Sequence, residues 1–150
     1  MNRYVALLGF IVVVFGGGLL IGYLTLPGEW YAGLAKPFFN PPNWIFGPVW
    51  SVLYVLIALA GWRVWSSNPH GAAMRLWVAQ LVLNFLWSPT FFGLQQMGVA
   101  LLVILALLAA ILGFMATTAK SDRVAAWLFA PYAAWVAFAT LLNAALWWLN

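Results

Sequence analysis

Long apolar runs separated by short polar breaks set the pattern of this chain. Five runs, at about 4–26, 43–65, 72–94, 97–119 and 123–148, come near the length that crosses a bilayer. A hydrocarbon core about 30 Å thick needs roughly 20 residues of helix. Backbone facing lipid has to satisfy its own hydrogen bonds, so each run is expected to be helical. The chain therefore reads as all-α, a single domain over 1–150. It is expected to be a polytopic membrane bundle of five transmembrane helices with an ordered loop between the first and second.

Polar and aromatic positions inside the runs carry the next layer of information. The second run places Phe46, Trp50 and Tyr54 at i, i+4 and i+8, one continuous helical face. The third places Gln80, Asn84 and Ser88 in the same way. The fifth lines up Tyr132, Trp135, Ala139 and Asn143, with Ala139 leaving a gap between larger side chains, and Pro131 is expected to bend that helix. Amides within a membrane helix face the bundle interior, where they bond between helices or meet a ligand. Both readings are open here. The fourth run has no polar side chain from Val99 to Phe114 and is expected to be a lipid-facing support without chemistry.

Depth brings three of these faces together. At about 1.5 Å per residue, Trp50, Asn84 and Ala139 all lie roughly 10–15 Å below the same membrane surface. Over that surface runs the stretch from Glu29 to Tyr54, crowded with Trp30, Tyr31, Phe38, Phe39, Trp44 and Phe46. Pro37, Pro41 and Pro42 fix an extended path there and exclude a continuous helix. Such an aromatic loop is expected to fold over a cavity as a lid, with the next helix starting near Asn43. Most tryptophans sort into interface belts: Trp30, Trp44, Trp147 and Trp148 on one side, Trp62, Trp65, Trp77 and Trp127 on the other. Trp50, Trp87 and Trp135 are too deep for a belt.

Composition narrows the function classes. Hydrophobic residues make up 67% of the chain and charged ones 5%, against about a quarter in soluble domains. The net charge of +4 comes from basic residues scattered singly, which excludes a nucleic-acid surface. Arg3, Arg63, Arg75, Lys120 and Arg123 fall on one side of the membrane and Lys36 on the other. The positive-inside rule then puts the N-terminus in the cytoplasm and the aromatic loop outside. Arg3 ahead of an apolar run also fits a signal peptide, but the run is near spanning length and lacks a small-x-small cleavage site, so it is expected to be retained. Gly18 and Gly22 form a G-x-x-x-G pair that permits close approach of another helix, in a dimer or within the bundle. The absence of cysteine excludes disulfide and thiolate chemistry.

The pattern W-Y-x-x-L-x-K-P-x-F-x-P-P-x-W-x-F-G-P-V-W-x-x-L-Y runs from Trp30 to Tyr54. Q-L-x-L-N-x-x-W-x-P-x-F-F follows at Gln80–Phe92, and P-Y-x-x-W-x-x-F-A-x-x-L-N at Pro131–Asn143. With these the chain resembles the translocator protein family, the tryptophan-rich sensory proteins or peripheral benzodiazepine receptors, over nearly its whole length. The resemblance implies five helices, a homodimer, and a pocket beneath the first loop for porphyrins and isoquinoline or benzodiazepine drugs. It implies pocket roles for Tyr31, Trp50, Tyr54, Asn84, Phe91, Trp135, Ala139 and Asn143. Animal members also bind cholesterol through an apolar–Tyr–basic motif near the end of the fifth helix. Here Asn143 is followed by A-A-L-W-W-L-N, which lacks that motif.

Three functions follow for comparison. A receptor or sensor would hold a flat tetrapyrrole between Trp50 and Trp135, with Asn84 and Asn143 orienting its polar groups. A light-dependent porphyrin-degrading enzyme, which the resemblance allows, would use Trp50 and Trp135 as reactive residues. A transporter of porphyrin- or sterol-like molecules is disfavoured by the lack of equal repeats and of an intramembrane charge chain. The receptor reading requires no cofactor and no metal. His70 lies on the far side from the pocket, so neither hydrolase chemistry nor fixed haem ligation is expected.

Overall fold

The computed structural model describes residues 2–150. The described residues form helices and turns, without a strand. We number the helices α1 (Arg3–Leu24), α2 (Gly28–Ala32), α3 (Asn43–Ser67), α4 (72–93), α5 (Met97–Ser121) and α6 (Arg123–Leu149). α1, α3, α5 and α6 are long and apolar enough to cross a membrane, and the protein is an integral membrane protein. α4 matches the third expected span in position. Gln80, Asn84 and Arg75 make it too polar to stand with the other four on composition.

Local sequence explains the irregular points. α1 widens into a π turn at Val12–Gly16, where the glycine tract begins. α4 does the same at Pro89–Gly93, because Pro89 has no N–H to continue the ladder. Leu94 N then donates to Pro89 O at 2.8 Å, and the chain turns through Gln95 at φ 57°. α6 breaks at Phe129, two residues ahead of the Pro131 expected to bend it, into Arg123–Leu128 and Ala130–Leu149. Asp122 caps its start, accepting from Ala125 N at 3.1 Å.

α5 departs from expectation. It packs along both α4 and α6 and buries Ala100, Ile104, Leu107, Ile111, Phe114 and Thr118. It is a central helix of the bundle, not only a lipid-facing support. Its uniform apolar sequence hid this, because lipid and protein core select the same side chains. α1 packs on α3 along its first half, and its second half leans towards α4.

Small residues set the close approaches. Gly61 lies beneath the Trp77 ring, whose Nε1 donates to Ile57 O at 2.9 Å. Trp77 is therefore a buried core residue, 4% exposed, and not a member of an interface belt. Gly18 lies against the Tyr54 ring within the same chain, while a Cβ at Gly22 would meet open space. The G-x-x-x-G pair is thus split between an internal contact and an open face.

Candidate functional site

A cavity of about 690 Å³ lies beneath the α1–α3 loop, walled by the upper halves of α1, α3, α4 and α6 and floored by Ile104 and Leu107 of α5. That volume is in the range of small-molecule sites. Tyr31, Trp50, Tyr54, Asn84, Phe91, Trp135, Ala139 and Asn143 all line it. These eight come from the loop and three helices, so the depth argument is met in three dimensions.

The roof is built from the loop. α2 ends near Lys36, whose Nζ donates to Tyr31 O at 2.8 Å, Leu34 O at 3.2 Å and Ala32 O at 3.3 Å. A lysine there satisfies carbonyls that the short helix leaves open and sits 4.7 Å from the Tyr31 ring centroid. Tyr31 is buried, and its hydroxyl meets Asn40 Oδ1 at 3.4 Å. Asn150 bonds both ways to the Ala35 backbone, accepting at 3.0 Å and donating at 2.9 Å. The proline-rich segment is non-helical as expected but not extended throughout. Asn40 N donates to Pro37 O at 3.1 Å and closes a turn over Phe38 and Phe39. Pro42 is extended, and a 3₁₀ turn, Asn43–Ile45, opens α3. Phe38 and Trp44 point away from the cavity and are exposed.

Aromatic rings supply a large part of the walls. Trp50 stands 5.4 Å from Tyr54 and 6.3 Å from Tyr132, centroid to centroid. Phe46 meets Trp135 edge-on at 5.8 Å. Trp87 stacks on Phe91 at 5.0 Å, and Trp30 of the loop closes edge-on over Phe91 at 5.8 Å. The π turn at Pro89–Gly93 is what carries Phe91 and Phe92 back towards Trp87. All three deep tryptophans, Trp50, Trp87 and Trp135, therefore line the same space.

The polar groups divide into spent and free. Asn143 Oδ1 accepts from Trp87 Nε1 at 2.9 Å, and its Nδ2 donates to Met97 O at 2.9 Å. That amide links α4, α5 and α6, so the interhelical reading holds for it. Asn84 Nδ2 donates to Tyr132 Oη at 2.7 Å, and Tyr132 Oη donates to Gln80 Oε1 at 2.8 Å. Tyr132 and Gln80 lie below the cavity as this buried chain and do not line it, although each falls on a polar face in the sequence. Asn84 Oδ1 has no protein partner among the described residues, yet it belongs to the lining. It is an acceptor open to the cavity. Ser88 is drawn to the roof side of α1, its Oγ 2.6 Å from Thr25 Oγ1. Gln80 Nε2 is buried without a partner.

Sequence reasoning missed the α1 wall and the floor. Gly18, Ile21, Gly22 and Thr25 line the cavity, as do Phe85, Ile104 and Leu107. Their apolar character carries no directional signal in a membrane helix. Gly18 is the exception: a small residue beside a bulky ring is the mark of close approach. Among the described residues no group of His, Cys, Asp or Glu comes together as a metal site.

A model of the TspO/MBR family matches residues 10–149. The tryptophan-rich sensory protein of Cereibacter sphaeroides is 38% identical over 143 residues, covering 95% of this chain and 90% of that protein. The human translocator protein is 38% identical over 138 residues, 87% of this chain and 82% of its own length. The tryptophan-rich protein TspO of Archaeoglobus fulgidus is 42% identical over 123 residues, 81% of this chain and 80% of that one.

Proposed function

This chain belongs to the TspO/MBR family, and from that premise we propose that it is a membrane receptor that senses a flat tetrapyrrole bound in the cavity under the α1–α3 loop. The observation that carries the reading is the set of three tryptophans, Trp50, Trp87 and Trp135, around one apolar space with the unspent amide oxygen of Asn84 on its α4 wall. Ring faces favour a planar aromatic macrocycle, each contact contributing about 0.5–1.5 kcal/mol beyond area burial. Asn84 Oδ1 suits the N–H of a metal-free tetrapyrrole or a protonated side group. Two relatives are named for sensing and translocation, and a receptor role agrees with the first of these.

The test is a tryptophan-fluorescence titration of the purified protein with metal-free protoporphyrin, in the dark and under light. Trp50→Phe, Asn84→Ala and Trp135→Phe are each expected to weaken binding roughly fivefold, the equivalent of one lost contact of about 1 kcal/mol. Trp62→Phe serves as the control, since Trp62 lies at the far end of α3 and donates to Arg3 O. Equal weakening by Trp62→Phe would sink the proposed pocket. If light-driven porphyrin loss falls with Trp50→Phe or Trp135→Phe beyond the fall in occupancy, the protein is a porphyrin-degrading enzyme and not a receptor.

A further inference from the structure

A second cavity, of about 420 Å³, opens at the end of the bundle opposite the loop, lined by Arg3, Arg63, Ser66, Ser67 and Asp122. It joins the first turn of α1, the last turns of α3 and the cap of α6. Asp122 is fully engaged there. Its Oδ1 accepts from Arg63 Nη2 at 3.0 Å and from Ala125 N at 3.1 Å, and its Oδ2 accepts from Arg63 Nε at 3.1 Å. This bidentate pairing cancels the Arg63 charge and leaves the charge on Arg3.

Arg3 has no carboxylate to meet. The chain has two acidic side chains: Asp122, already paired, and Glu29, which lies in α2 at the other end of the bundle. The Arg3 guanidinium sits 5.2 Å from the Trp62 ring and 5.9 Å from the Tyr4 ring, and Trp62 Nε1 holds the Arg3 carbonyl at 2.7 Å. Aromatic faces thus position the cation without neutralising it. Beside it, the Ser66 hydroxyl has no partner among the described residues, and Ser67 Oγ donates only to Val64 O at 3.2 Å. Arg75, Lys120 and Arg123 stand at the same end and add to its positive field.

We propose that this cavity binds a phosphate ester, the headgroup phosphate of an anionic membrane lipid. The cavity is cationic overall and offers hydroxyl donors beside a guanidinium. It also sits where the apolar spans end, at the level of lipid headgroups. Basic pockets between helices at this level suit such headgroups. A soluble phosphate ion presents the same oxygens, so the two sources have to be separated by experiment.

The test reconstitutes the full chain into vesicles of phosphatidylcholine with a minority of phosphatidylglycerol and reads retained lipid by native mass spectrometry. The wild type should retain phosphatidylglycerol above its share of the vesicle. Arg3→Gln should lower that enrichment about fivefold, the factor that one basic residue contributes near an anionic surface. Asp122→Asn should raise it, because it releases the Arg63 charge while keeping a good helix cap. A rise in one variant and a fall in the other cannot both come from a damaged fold. Arg75→Gln, outside the cavity, removes only part of the surrounding field and should lower the enrichment far less than Arg3→Gln. Excess inorganic phosphate that displaces the lipid would assign the site to free phosphate, and undiminished retention would assign it to the headgroup. No enrichment in the wild type, or equal losses in Arg3→Gln and Arg75→Gln, would overturn the proposal.

Discussion

Gly18 holds the cavity open by what it lacks. A Cβ there would collide with the ring of Tyr54, which is itself a wall of the site and stands beside Trp50. Either Tyr54 moves into the cavity or α1 moves out, and both damage the same space. Overpacking of this kind costs about 1–3 kcal/mol. Gly18→Ala is therefore expected to lower the melting temperature in detergent and to weaken porphyrin binding together. Gly22→Ala, with nothing within 4 Å of its Cβ, should not lower the melting temperature and, although Gly22 also lines the cavity, should cost less binding than Gly18→Ala. A stabilised Gly18→Ala protein would show that α1 does not close on Tyr54. The two glycines are equivalent in the sequence pattern, and only the neighbouring helix distinguishes them.

The α1–α3 loop behaves as a built element, and its fastening can be removed. Asn150 bonds to both backbone groups of Ala35 and to Leu146 O at 2.9 Å, tying the roof to the end of α6. A typical net hydrogen bond contributes about 1 kcal/mol. Asn150→Ala should therefore raise amide exchange at Ala35 roughly fivefold. The core of α5 should exchange as before, since Ile104, Leu107 and Ile111 are buried in the central hydrophobic cluster of the bundle. Hydrogen–deuterium exchange with peptide resolution reads both regions in one experiment. Unchanged exchange at Ala35 would mean that the aromatic contacts of Tyr31 and Trp30 hold the roof by themselves.

The bundle as a whole has a charged end and an almost uncharged one. Arg3, Arg63, Arg75, Lys120 and Arg123 gather at the end away from the loop, while the loop end carries Glu29 and Lys36. The positive-inside rule then predicts a cytoplasmic N-terminus. The cysteine-free chain makes the test direct. Asn68→Cys and Gln96→Cys lie in exposed turns at opposite ends. In intact cells an impermeant thiol reagent should label position 96 and spare position 68 until the membrane is opened. The reverse pattern would invert the molecule and carry the cavity to the cytoplasmic side.

Length and polarity were legible along the chain because a bilayer constrains them strongly. The apolar runs located the helices, the prolines between 37 and 42 kept the loop from being helical, and helical spacing put Trp50, Asn84 and Ala139 at one depth, where they line one cavity. Apolar side chains carried no such direction. Lipid and protein interior reward Leu and Ile alike, so α5 looked peripheral and proved central, and Trp77 looked interfacial and proved buried. Hydrogen-bond partners were beyond reach for a different reason. Asn84 and Asn143 are the same residue type on similar faces, but Trp87 and Met97 happen to face Asn143, while the oxygen of Asn84 faces a void. Which amide is spent and which is free is a property of neighbours far apart in sequence, and packing alone decides it.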